Sequence, residues 1–225
     1  MQIVIVGYGL MGNAVEKFCK KNDIPVSGIL KNTNDIVKYQ SQPNDVLVDF
    51  TNGKAFADNI DNLLLKKIPL VVGTTGWDDK FEEIKNKVKL SNIPFCWGKN
   101  FSASVYNFYS IVDFATSKLQ SLDNVRIHIN EIHHSTKKDS PSGTALNLQK
   151  IIAKHYNKQV NIVSHRVGSI IGEHSVMYKG DTEDMVLYHK STSKDCYVKG
   201  ALLCAKYLLN HNGFYFVEDI FKEIL

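Results

Sequence analysis

Glu131-Ile132-His133-His134-Ser135-Thr136-Lys137-Lys138-Asp139-Ser140-Pro141-Ser142-Gly143-Thr144-Ala145 brings two histidines, a lysine and a helix start into fifteen residues. Histidine donates or accepts a proton near neutral pH, and lysine carries a positive charge and donates to a nitrogen-centred anion. Asp139-Ser140-Pro141 reads as the start of a helix, with Asp or Ser as cap and Pro in the first turn. Ser142, Gly143 and Thr144 then offer backbone N–H groups and two hydroxyls to a carboxylate. The expected chemistry is capture of a small dicarboxylate and delivery of a proton to it. His133 and His134 are adjacent at a strand end, so a regular pleat sends them to opposite faces. Zinc is not expected, because Glu131-Ile132-His133-His134 lacks the His-Glu-x-x-His pattern and adjacent strand residues do not converge on one ion. No Gly-x-Ser-x-Gly elbow supports a serine nucleophile.

A second chemical signal is Gly7-Tyr8-Gly9-Leu10-Met11-Gly12, which follows an apolar run and opens a helical pattern. That context suits a dinucleotide: Gly7 permits a tight turn, Gly9 lets the backbone approach a pyrophosphate, and Gly12 allows close helix–strand packing. At the end of the second strand, where an acid would select NAD, the chain has Leu30-Lys31-Asn32. Lys31 is expected to welcome the 2′-phosphate of NADPH, with NADH also accepted. Gly73-Thr74-Thr75-Gly76 ends another apolar strand, where small residues let a nicotinamide lie against backbone and threonine hydroxyls offer hydrogen bonds.

The elements that must position these residues are legible from periodicity. Strands are expected at 2–6, 26–30, 46–50, 69–72 and 93–97, with helices near 11–18, 55–65 and 78–90. Strand alternating with helix argues a Rossmann-like, doubly wound parallel sheet in an α/β fold. After Asn100-Phe101-Ser102 the rhythm changes: a helix over 104–122, a strand over 125–132 and a helix from Pro141. Strands at 161–165, 169–178 and 185–189 follow without intervening helices, then a helix over 198–210. Consecutive strands imply a second, α+β domain with a mixed sheet. The expected division is a dinucleotide-binding domain over 1–102, a substrate-binding and oligomerisation domain over 103–193, and a segment over 194–225 returning to the first.

The chain has 225 residues, 27 Lys and Arg against 23 Asp and Glu, and 44% hydrophobic residues. Its small, scattered positive excess fits an acidic metabolite and not a nucleic-acid groove. The four cysteines form no Cys-x-x-Cys pair. No secretory peptide and no apolar run of about 18 to 20 residues is visible, so a soluble cytoplasmic protein without membrane partners is expected. A dehydrogenase of another small amino or dicarboxylic acid, or a non-catalytic dinucleotide sensor, are the alternative readings.

His133-His134-x-x-Lys137-x-Asp139-x-Pro141-Ser142-Gly143-Thr144-Ala145 closely resembles the signature of the dihydrodipicolinate reductase family, also called 4-hydroxy-tetrahydrodipicolinate reductase. The Gly7–Gly12 loop, Val48-Asp49-Phe50-Thr51, Gly73-Thr74-Thr75-Gly76, Asn100-Phe101-Ser102, Arg166-x-Gly168, Gly172-Glu173-His174 and Asn212-Gly213-Phe214-Tyr215 extend the resemblance along the whole chain. It implies NADH- or NADPH-dependent reduction of a cyclic unsaturated dicarboxylate imine to tetrahydrodipicolinate, in the lysine and diaminopimelate pathway. It also implies His133 and Lys137 as proton donors, and His134, Ser142, Gly143 and Thr144 as carboxylate ligands. The Gly7–Gly12 loop, Gly73, Thr75, Asn100 and Phe101 would contact cofactor, and the second domain would build a homotetramer. Against the family pattern, Ser140 replaces a usual alanine, Ser104 a usual glycine, and the chain is compact.

Overall fold

Gln2–Val6 (β1) is apolar and β-branched after its first residue, and Ile3 to Val6 are buried, as a strand covered on both faces requires. In the computed structural model, which describes residues 1–119 and 124–225, β1 is the second strand from one edge of a six-stranded, all-parallel sheet. The other strands are Val26–Leu30 (β2), Asp45–Asp49 (β3), Leu70–Val72 (β4), Phe95–Trp97 (β5) and Phe214–Phe216 (β10), in the order β10-β5-β4-β3-β1-β2. The connecting helices are Leu10–Lys21 (α1), Thr33–Lys38 (α2), Gly53–Leu64 (α3) and Phe81–Ser91 (α4). The chain leaves β1 toward β2 on one side and continues from β3 on the other. The carboxyl ends of β1 and β3 are therefore the switch point at which such sheets bind ligands.

Two elements here are absent from the sequence reading. The six-residue α2 is too short for a clear period, and the three-residue β10 gains its identity only by pairing with β5. Asn32 caps α2 by accepting from Asp35 N–H at 3.0 Å, and Asp35 in turn accepts from Lys31 N–H at 2.8 Å.

The chain divides into two compact units, Met1–Ala103 with Lys194–Leu225, and Ser104–Ser193. Asp195–Leu208 (α7) and Val217–Ile224 (α8) belong to the first unit. The second unit holds almost all of Ala103–Leu119 (α5); residues 120–122 of the expected helix lie outside the described residues. It also holds Arg126–His133 (β6), Gly143–Ile152 (α6), Asn161–Arg166 (β7), Gly172–Lys179 (β8) and Asp184–Ser191 (β9). The sheet order is β7-β6-β8-β9, with β6–β7 parallel and the other pairs antiparallel, so the sheet is mixed.

One face of this sheet packs on α5 and α6 through Ile127, Ile129, Val176, Phe108, Val112, Leu148 and Ile152. Each such side chain contributes roughly 1.5–3 kcal/mol when fully buried. Strand β6 alternates strictly, with Ile127, Ile129, Glu131 and His133 all on the buried face.

The helix expected from Pro141 starts at Gly143 instead. Ser142, in extended conformation, is the cap and accepts from Ala145 N–H at 3.2 Å, which leaves Pro141 outside the helix. Strand β8 starts at Gly172 and not at Ser169, because the chain turns through Gly168 with φ +51°. No helix among the described residues is long and apolar enough to cross a membrane.

Candidate functional site

Two groups of side chains, one in each unit, gather the residues singled out by the sequence. In the first unit, Gly7 leaves β1 with φ +84°, and a Cβ there would lie 2.6 Å from Thr51 Cγ2. A Cβ on Gly12 would lie 2.1 Å from the carbonyl oxygen of Gly7, so only glycine lets α1 come this close to the loop. Gly9 is the α1 N-cap residue and brings no side-chain hydrogen bond to the helix start. The first-turn N–H groups of Leu10 and Met11 are thus open to an anion, and exposed Leu10 does not cover them.

Tyr8 donates its hydroxyl to Glu16, and Lys31 Nζ stands 4.9 Å from the Tyr8 ring centroid. Glu16 accordingly raises the Tyr8 pKa through that hydrogen bond. The nearest acid after β2, Asp35, is committed to Lys31 N–H and to Asn32.

Asp49, fully buried at the end of β3, ties the two following loops together. Its Oδ1 accepts from Thr51 N–H at 3.0 Å, Thr51 Oγ1 at 2.7 Å and Thr74 Oγ1 at 2.6 Å. Burial pushes the Asp49 pKa up, against the pull of those three donors. The carbonyl of Thr74 accepts from the indoles of Trp77 at 2.8 Å and Trp97 at 3.1 Å. Thr74 is therefore turned inward, and of the two hydroxyls expected to face a ligand only that of Thr75 belongs to an exposed residue. Met11, Phe50, Gly73, Lys99, Asn100, Phe101 and Tyr197 line one depression, which unites the glycine loop, the Gly73 turn and Asn100-Phe101. Asn100 Oδ1 holds Ser102 N–H at 2.8 Å, and Phe101 packs edge-on to Phe50 with centroids 6.2 Å apart. A cradle of uncapped N–H groups beside a small-residue turn fits a dinucleotide.

In the second unit, His133 is 7% exposed at the end of β6. Its Nδ1 bonds Glu131 Oε2, while its Nε2 makes no hydrogen bond among the described residues. Glu131, fully buried, accepts on Oε1 from Arg166 at 2.9 Å and from Ser142 N–H at 3.2 Å. Burial raises the Glu131 pKa, but Arg166, Ser164 and His133 together outweigh it and hold the carboxyl below its usual value. For His133 burial dominates and lowers the pKa; Glu131 opposes this, while the charges of Lys137 and Arg166 assist it.

His174 lies edge-on to His133 with ring centroids 5.0 Å apart, and its Nε2 is 3.2 Å from Ser142 Oγ. Burial, with the charge of His133, pushes its pKa down to about 3. His134 turns away to Thr136 Oγ1 at 2.8 Å, as the pleat predicts. Lys137 Nζ pairs with Asp139 at 2.7 Å. Burial raises the Asp139 pKa, but Lys137 with the Gly143 N–H outweighs it, so the carboxyl lies below its usual range. Thr144 follows at the second position of α6. Ser104 Oγ stands 3.0 Å from His189 Nε2, a partner that a glycine there would not supply.

Glu131, His133 and His174 present ligand atoms within 4.8 Å of one another. Both Glu131 oxygens are engaged, and the Arg166 cation beside them opposes a metal cation, so the geometry is that of a hydrogen-bonded cluster. Strand parity carried a signal for Glu131, two residues before His133. Arg166 and His174 join through the pairings His133↔Arg166 and Glu131↔His174, which only the register reveals. Asp49, Lys99 and Tyr197 were likewise missed as site residues; an aspartate closing an apolar strand was the signal for the first.

Residues 1–101 match the family described as dihydrodipicolinate reductase, N-terminus, and residues 104–221 the family described as dihydrodipicolinate reductase, C-terminus. The chain is 29% identical over 238 residues to a 4-hydroxy-tetrahydrodipicolinate reductase of Christiangramia forsetii, spanning 100% of this chain and 99% of that one. It is 30% identical over 248 residues to one of Staphylococcus aureus strain JH9, spanning 98% and 100%. The solved dipicolinate-bound dihydrodipicolinate reductase from Paenisporosarcina sp. TG-14 shares the fold with a TM-score of 0.74, at 17% identity over 98% of this chain and 99% of that one. With both halves matched and each match falling on one of the two clusters, the chain belongs to the dihydrodipicolinate reductase family.

Proposed function

We propose that His133 and Lys137 are the proton-delivering groups of this NAD(P)H-dependent oxidoreductase of lysine and diaminopimelate biosynthesis. The reaction is reduction of 4-hydroxy-tetrahydrodipicolinate (dihydrodipicolinate) to tetrahydrodipicolinate. The observation that carries the assignment is the meeting of His133, with Nε2 unbonded, and the lysine-bearing loop at the start of α6. Ser142, Gly143 and Thr144 bind one substrate carboxylate with N–H and hydroxyl groups, and His134 engages the other end. Lys137 exchanges Asp139 for the anionic substrate, and it or His133 Nε2 protonates the nitrogen or enamine carbon left negative by reduction.

The cofactor, when bound, supplies the hydride. Gly7, Tyr8, Gly9, Leu10, Met11 and Gly12 would hold its phosphates, and Gly73, Thr75, Asn100 and Phe101 its nicotinamide end. Thr74 would act by holding the Gly73–Gly76 turn in place. Lys31, free of a carboxylate partner among the described residues, favours the 2′-phosphate of NADPH, with NADH also used.

A cytoplasmic homotetramer is the proposed working form. The face of the mixed sheet turned away from α5 and α6 presents Val163, Val186 and Tyr188, at 45%, 49% and 56% exposure, beside Ile132 and Met177. A second copy of the sheet would cover that apolar patch.

The test is oxidation of NADPH and of NADH with substrate generated in place from pyruvate and aspartate semialdehyde by its synthase. Synthase-dependent oxidation is expected, faster with NADPH. Lys137→Ala should lower kcat on the order of 100-fold or more while leaving cofactor Kd unchanged. Near-normal turnover in that variant removes Lys137 from the role, and no oxidation by the folded wild type removes the reaction.

A further inference from the structure

Glu131 is the one fully buried carboxylate of the second cluster, and its hydrogen bonds join His133, Arg166 and the start of α6. It lies two residues before His133 on β6, so the pleat sends both side chains to the same face. Its Oε2 holds His133 Nδ1, and its Oε1 accepts from Arg166 on β7 and from Ser142 N–H at the start of α6. Arg166 also donates to the carbonyl oxygen of Asp139, so the same carboxylate is linked to the loop that carries Lys137.

An imidazole can carry its neutral-state proton on either nitrogen, and its hydrogen-bond partner decides which. A carboxylate at Nδ1 keeps that proton there, which leaves Nε2 as the atom that takes up and releases a proton. Nε2 points toward Gly172, where an added Cβ would lie 3.1 Å away, so a side chain at that position would crowd it.

The groups around His133 otherwise disfavour its charged form: burial, Lys137 on the following loop and Arg166 on β7. His174 on β8 faces it as a neutral ring, and Asp139 is drawn off by Lys137. His189 on β9 lies one strand further, opposite His174. Glu131 is thus the anion in direct contact with the imidazole, placed to keep a protonated His133 accessible at working pH.

We infer that Glu131 is the positioning residue of the reaction: it fixes the Nδ1–H form of His133, stabilises its imidazolium, and locks the start of α6 and the Lys137 loop in register with it. This rests on the proposed role of His133. It differs from a structural role in acting on the proton and not only on the fold, as a carboxylate behind a catalytic histidine does elsewhere.

The experiment begins with the wild-type protein and needs no substrate. Nitrogen-15 NMR of the His133 imidazole should report the Nδ1–H tautomer at neutral pH; the Nε2–H tautomer overturns the inference. Glu131→Gln keeps the size of the side chain and removes its charge. It is expected to lower kcat about 100-fold, to leave cofactor Kd unchanged, and to move the basic limb of the kcat/KM pH profile, where His133 loses its proton, to lower pH. In a His133→Ala background the same substitution should cost turnover much less than in the wild type, because its action on the imidazole is then gone and only its hold on α6 and the Lys137 loop remains. An unshifted pH profile, or losses that multiply in the double variant, overturns the positioning role while leaving His133 in place. Wild-type activity with no loss in His133→Ala sinks the underlying reading instead. If Glu131→Gln does not fold, the wild-type tautomer decides.

Discussion

His174 is only 4% exposed, with Nε2 on Ser142 Oγ and no partner for Nδ1, so protonating it would place a charge among buried groups. Its pKa falls to about 3 from the ordinary histidine value, with burial the chief cause and the charge of His133 next. Between those two values the unfolded chain binds a proton that the native protein does not. Stability is therefore fully present above pH ~6.5 and is lost as pH falls, by about 1.4 kcal/mol per pH unit for this residue. His133 and His189, also lowered mainly by burial, act with the same sign, whereas the raised carboxyls of Asp49 and Glu218 act with the opposite one. Comparing wild type with His174→Gln isolates one group. Urea unfolding at pH 7 and pH 5 should show wild type losing about 2 kcal/mol more than the variant. Equal losses would mean that His174 titrates normally.

Helix α1 and the glycine loop show how far an element is written in its residues. The apolar run, the three glycines and the helical spacing were each readable, and the close helix–strand packing expected of Gly12 takes the form of close approach to the Gly7 carbonyl. Gly12→Ala should cost about 1–3 kcal/mol of stability and weaken NADPH binding, measured by thermal unfolding and cofactor fluorescence; a variant with wild-type values in both would show that the loop yields. Helix α6 was harder. Asp139, Ser140 and Ser142 are all able to cap, and only the fold placed Ser142 where its hydroxyl meets both Ala145 N–H and His174. The three-residue β10 carries no period of its own, and Phe214 to Phe216 become a strand by pairing with β5 and packing on Phe81, Phe95 and Trp97.

At the scale of the whole molecule, the mixed sheet leaves one face open, and its exposed Val186 and Tyr188 lie on neighbouring rungs of β9. If that face joins copies of the chain, Val186→Asp with Tyr188→Asp should convert a tetramer to smaller species in sedimentation, with little change in secondary structure. A wild-type monomer at micromolar concentration would refute the assembly. The sequence alone determined the alternation of strands and helices in the first sheet, though not α2, α8 or β10, and the consecutive strands of the second, and it singled out His133, Lys137 and Ser142–Thr144 as candidates. Those properties reside in local periodicity, glycine sterics and capping chemistry, which act over a few residues. Only the tertiary structure decided that Glu131, Arg166 and His174 join His133, that Thr74 turns inward to Asp49 and two indoles, and that Tyr197 comes to the glycine loop. Arg166 lies 35 residues from Glu131, and Tyr197 on α7 is far down the chain from Met11. Such meetings depend on strand register and helix docking, where a shift of one residue would turn every side chain to the other face.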